Sequence, residues 1–167
     1  LARQPGRDRL SDAAGRPGHY GDFSFESMHL DEPISAPLPF GRPAVTEQSP
    51  YDPGGEPFPT TYYVTCRRLV ARISRLEAAG GVERWSDAVA CDDVLQASRE
   101  RADEEQRRIR TELATGATGT DGGASLELGV GGQRRAAGSL KCLHAHVAFA
   151  LANPGYELGE RIVQEIE

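Results

Sequence analysis

The sequence is poor in the features that most often give a function away. Its three cysteines, Cys66, Cys91 and Cys142, are odd in number and include no CxxC pair, which excludes a disulfide framework and suits a reducing compartment. No apolar run approaches the roughly 20 residues that cross a bilayer, and no basic-then-apolar leader opens the chain, so the expectation is a soluble, cytoplasmic protein with no membrane partner. Lysine plus arginine number 19 against 25 acidic residues, a net charge of -6. The global basic footprint that neutralises phosphate backbones is therefore lacking, and nucleic acid is not an expected partner. Hydrophobic residues are 38% of the 167, below the roughly 45 to 50% of an average domain, which leaves apolar matter for one core and marks part of the chain as loop. The motifs of familiar chemistries are missing too: there is no GxSxG elbow, HExxH helix, EF-hand loop, GxxxxGK[ST], or GxGxxG after a strand.

What is present is unevenly distributed. Ten of the eleven prolines fall between Pro5 and Pro59, with no sustained apolar period, so no helix persists there. Thr60-Thr61-Tyr62-Tyr63-Val64-Thr65 then reads as a short β-branched and aromatic strand. A helix follows, capped by Thr65, with Cys66 in its first turn and Leu69, Val70, Ile73 and Leu76 on one face; it stops at Gly80-Gly81. Ser86 caps an expected second helix from about Asp87 to Ala114. Its middle, Arg99 to Arg110, holds five arginines and four acidic residues in mixed order and is most simply a solvated face.

From Thr115 to Gly138 the chain is glycine-rich, and alternation at Leu126, Leu128 and Val130 predicts a short strand that pairs with the one near Tyr63. A third helix is expected from about Ser139 to Ala152, buried on most sides and stopped by Asn153-Pro154-Gly155; Leu158 to Glu167 forms a last one. The expected fold class is thus α+β: a single mainly helical domain over 38–167 with a minor short-stranded sheet. A Pro-rich extended arm, 1–37, is expected to lie across the core or a partner subunit and so to serve a homo-oligomer or another protein partner.

Chemistry concentrates in Lys141-Cys142-Leu143-His144-Ala145-His146. On a helix His144 and His146 point about 200° apart, whereas Cys142 and His146, at i and i+4, lie about 40° apart and could share a site. Cys66 would join them if its helix start packs against the third helix. Cys66, Cys142 and His146 then form a candidate ligand set for a transition metal such as zinc, with His144 or water as a fourth ligand. The same residues, Cys66, Cys142, His144 and His146, are the candidate catalytic thiols and bases. At Cys66 a helix start with Arg67 and Arg68 beside it would lower the thiol pKa, and burial would raise it. Gly129-Val130-Gly131-Gly132, ahead of Lys141 and a helix start, suits a phosphate or carboxylate; with Thr65 these residues form the candidate site for a small anionic ligand.

Several blocks taken together resemble the bacterial domain-of-unknown-function 501 family over roughly residues 38 to 166. They are Phe40-Gly41-Arg42-Pro43-Ala44-Val45, Pro57-Phe58-Pro59-Thr60-Thr61-Tyr62-Tyr63-Val64-Thr65-Cys66, Arg68-Leu69-Val70, Ile73-Ser74-Arg75-Leu76-Glu77, Gly129-Val130-Gly131-Gly132, Lys141 to His146 and Asn153-Pro154-Gly155. The resemblance implies that the Thr65-Cys66, Gly-rich and Lys141-to-His146 blocks belong to one shared architecture, and it implies no reaction. The chain departs from the family pattern where Leu38 replaces a cysteine and Arg67 a proline, which removes one candidate ligand. The resulting expectation is a binding or accessory protein with a small anionic ligand, or else a cysteine- and histidine-dependent enzyme or metal-binding protein, or a structural interaction module.

Overall fold

The computed structural model describes residues 44–134 and 139–167; the arm at 1–37 lies outside them. Two short strands, β1 (Val45–Glu47) and β2 (Tyr62–Val64), pair antiparallel, with Val45 opposite Val64 and Glu47 opposite Tyr62. Gln48 N donating to Thr61 O and Thr65 N donating to Ala44 O extend the ladder at both ends. Alternation turns Val45 and Tyr62 into the core and leaves Tyr63 exposed, as the period of two requires.

The expected partner for β2 was the run at Leu126 to Val130. That run instead forms two 3-10 turns, Ala124–Glu127 and Val130–Gly132. Gly131 and Gly132 both take φ of 71°, a left-handed geometry that curls the chain and ends any extended run.

Four α-helices precede or follow these turns as expected, and a fifth arises from a break. Helix α1 (Arg67–Ala78) buries Ile73 and half-buries Leu69, Val70 and Leu76; Cys66 rather than Thr65 is its N-cap. The expected long second helix is two, α2 (Gly81–Cys91) and α3 (Asp93–Leu113). Asp92 makes the break: its side chain accepts from Val94 N at 2.8 Å and Leu95 N at 3.2 Å, an N-cap that competes with continued helix. Ser86, the expected cap, sits inside α2, where its hydroxyl donates to Val82 O and accepts from Leu140 N.

Helix α4 (Leu143–Ala152) is central, with Leu143, Val147, Ala148, Phe149 and Ala150 all buried. It packs on α1, α5 (Glu157–Ile166), both strands and the Val130–Gly132 turn. Helix α5 lays Leu158, Ile162 and Ile166 into the core, and Gly159 lets it approach closely, since a Cβ there would stand 2.6 Å from the Ala150 Cβ. No helix of the described residues is long and apolar enough to cross a membrane.

The charged middle of α3 is not uniformly solvated. Its outer face is: Arg108 bridges Glu105 at 2.6 Å and Glu112 at 2.5 Å in the open. The inner face buries Ala102, Gln106, Ile109 and, completely, Arg110. Helical periodicity explains this, because Ala102, Gln106 and Ile109 form the stripe that faces the core and Arg110 lies beside it.

Candidate functional site

The end of α1 and the start of α4 are locked together by one carboxylate. Glu77 Oε1 accepts from Leu143 N at 2.6 Å, satisfying a backbone donor that the first turn of α4 would otherwise leave orphaned. Glu77 Oε2 lies 3.2 Å from His144 Nδ1, and His144 Nε2 lies 3.3 Å from the hydroxyl of Ser74, one turn back on α1. Cys142 precedes α4 as its N-cap, with extended backbone (φ -161°, ψ 125°). Ligand-capable atoms of Glu77, Cys142 and His144 consequently all lie within 4.8 Å of one another, each side chain half-buried. Burial, with Glu77 adding to it, pushes the Cys142 thiol pKa up, while the N–H groups of Ala145 and His144 pull the other way.

Two expected members stand outside this group. Helical spacing paired Cys142 with His146, but α4 begins one residue after Cys142, so i,i+4 geometry does not apply and the thiol falls beside His144 instead. His146 points into the core, fully buried, with Nδ1 2.7 Å from the Tyr156 hydroxyl. Burial depresses its pKa to about 4, and nearby Arg99 adds to the effect. Cys66 caps the opposite end of α1, 11 residues before Glu77, or about 16 Å along the axis at 1.5 Å per residue. That distance separates it from the Glu77 cluster.

The glycine-rich turn does meet α3 and α4, but of its N–H groups one is taken by the chain's own Asp103 carboxylate and two by backbone carbonyls. Val130 N donates to Asp103 Oδ1 at 2.8 Å, Gly129 N to Gln133 O at 2.7 Å, and Gly132 N to Gly129 O at 3.0 Å. A Cβ on Gly129 would stand 2.3 Å from Asp103 Oδ1, so glycine there is what admits the carboxylate. Lys141 is exposed and reaches the Gly132 carbonyl at 3.4 Å, and Thr65 is exposed. Where Thr61, Tyr62, Val130, Gly131, Ala145 and Phe149 converge, crevices total about 150 Å³ and admit no water-sized sphere.

Several polar residues in and around this interior are not among the candidate site residues, although the i,i+4 spacing of Arg99, Asp103 and Arg107 is visible in the sequence as part of a solvated face. Arg110 is one: Nη2 donates to Phe58 O at 2.6 Å, Nε to Ser125 O at 3.0 Å and Nη1 to Thr61 Oγ1 at 3.3 Å. Gln106 donates to the same Thr61 hydroxyl at 2.6 Å. Arg99, Asp103 and Arg107 follow at intervals of four on α3, and burial raises the Asp103 pKa against the pull of Val130 N–H and both arginines. The available signal was that interval of four, running beside the Ala102, Gln106, Ile109 stripe. Glu77 closes the Ile73-Ser74-Arg75-Leu76-Glu77 block of the family resemblance, but nothing in its spacing marks it as a ligand.

These features define a small helical α+β protein with a sulfur, nitrogen and oxygen cluster at one helix junction and a charged interior beside it. The chain belongs to the family described as protein of unknown function DUF501, whose model matches residues 34–164. No curated protein and no solved structure matches it significantly.

Proposed function

We propose that this chain is a metal-binding accessory protein whose ion, of the zinc class, is held by Glu77, Cys142 and His144. The observation that carries the reading is the mutual approach of three chemically distinct ligand atoms within 4.8 Å. A tetrahedral ion 2.0 to 2.1 Å from nitrogen and oxygen ligands separates them by ~3.3 Å, and His144 Nδ1 and Glu77 Oε2 stand 3.2 Å apart. The supporting shell is the kind such sites use. Ser74 would orient His144 through Nε2, and the Leu143 N–H fixes the other oxygen of Glu77. With three protein ligands the ion keeps a fourth position for water or for a donor atom of another molecule.

Two other readings have less support. An upward-shifted Cys142 thiol is the reverse of an activated nucleophile, which weighs against a thiol enzyme. A small anion at the Gly129 to Gly132 turn would have to displace Asp103. Zinc titration of the full chain against a chromogenic chelator tests the proposal. One equivalent should bind, and Cys142→Ser, His144→Gln and Glu77→Gln should each weaken binding at least ~10-fold, the scale at which metal-site shells respond, while Cys66→Ser leaves it unchanged. Equal binding by the Cys142→Ser chain would refute the assignment.

A further inference from the structure

We infer that the interior beside α3 binds a small oxyanion through Arg99, Arg107 and His146. This site is separate from the metal cluster and does not rest on it, because His144 faces α1 while His146 turns to the opposite side of α4. Four buried nitrogens carry the inference: Arg99 Nε and Nη1, Arg107 Nη1 and His146 Nε2 have no hydrogen-bond partner among the described residues. Buried donors without acceptors are rare, since each loses its hydration and gains nothing in exchange.

The arrangement is directional. Residues 99, 103 and 107 are four apart, so the two arginines flank Asp103 on one face of α3. Asp103 feels both guanidinium groups, and Arg99 also acts on His146 and Tyr156, which places these groups in one electrostatic neighbourhood. Asp103 does not pair with the unmatched nitrogens, and one of its oxygens is engaged by Val130 N. His146 adds a donor in the tautomer whose Nδ1 accepts from the Tyr156 hydroxyl, which places the ring proton on Nε2. In that tautomer the unmatched nitrogens are all donors, so their complement is a group rich in acceptor atoms. Donors arriving from separate side chains need several acceptor atoms, which an oxyanion supplies and a halide does not. Inorganic phosphate or sulfate and a small carboxylate share that chemistry.

The test uses the full chain in chloride buffer at fixed ionic strength, titrated separately with inorganic phosphate, sulfate and formate. Thermal unfolding and the nitrogen resonances of His146 and the Arg99 Nε are followed together. At least one oxyanion should raise the unfolding midpoint saturably and shift the His146 Nε2 resonance with the same half-saturation. Phosphate or sulfate responding points to an inorganic ligand, and formate to a carboxylate. Arg99→Gln and Arg107→Gln should each weaken binding at least tenfold, and Arg101→Gln, on the exposed face, should not. The resonance titration needs no variant, so a substitution that unfolds the chain does not obscure the answer. No saturable response to any of the three anions, or an undiminished response in both Arg99→Gln and Arg107→Gln, would overturn the inference.

Discussion

Arg99 and Arg110 sit on the same helix, 11 residues and about three turns apart, and therefore on nearly the same side of it. Both send guanidinium nitrogens out of water, yet they end differently. Arg110 is met by oxygens from Phe58, Thr61 and Ser125, three donors on three acceptors, and it ties the strand entry and the glycine-rich connector to α3. Arg99 leaves Nε and Nη1 unmatched beside the Asp103 carboxylate that it shares with Arg107. A guanidinium saturated by the chain's own oxygens works as a clamp; one left unsaturated is prepared for something the chain does not itself supply.

The contrast can be broken by mutation. Arg110→Ala should have the largest effect, a loss of about 3 to 5 kcal/mol in denaturant unfolding, because it strands buried oxygens as well as opening a void. Next comes the pH response of the Arg99 end. His146 has a folded pKa of about 4 against the ordinary 6.5, so the unfolded chain binds the proton more readily. Its contribution is fully present above pH 6.5 and is lost as pH falls toward 4, amounting to at most about 3 kcal/mol. Urea unfolding across that window, with a chelator present throughout, should show this slope in the parent and a flatter one in His146→Gln. Gly129→Ala should cost about 1 to 3 kcal/mol, because its methyl group would meet the Asp103 carboxylate. The smallest change should come from Arg99→Gln without added anion, within about 1 kcal/mol or stabilising, since it removes unmatched donors from the interior. Equal losses for Arg110→Ala and Arg99→Gln would erase the distinction between clamp and receptor.

The sequence made much of the frame legible. Helices α1, α4 and α5, the strand at Tyr62 to Val64, and the burial of α4 on most sides all follow from apolar spacing and from stop signals at Gly80-Gly81 and Asn153-Pro154-Gly155. The break at Asp92 was not legible, because one more carboxylate in a charged stretch looks the same whether it caps or merely solvates. The chemical block from Lys141 to His146 stood out, but its pairing did not. Where α4 starts depends on Glu77, 66 residues before Leu143, and one turn of difference in that start decides whether Cys142 faces His146 or His144. The arginines show the same limit: charge is visible in sequence, whereas the oxygens that match it at Arg110 come from residues 49 and 52 positions away and from the glycine-rich connector, which has no period.

Cobalt titration of the full chain, followed by visible absorption, tests the central claim most directly. The proposed ligand set predicts a thiolate-to-cobalt band with intense four-coordinate ligand-field bands saturating at one equivalent, abolished by Cys142→Ser and retained in Cys66→Ser. Absence of those bands, or their survival without the Cys142 sulfur, would contradict it.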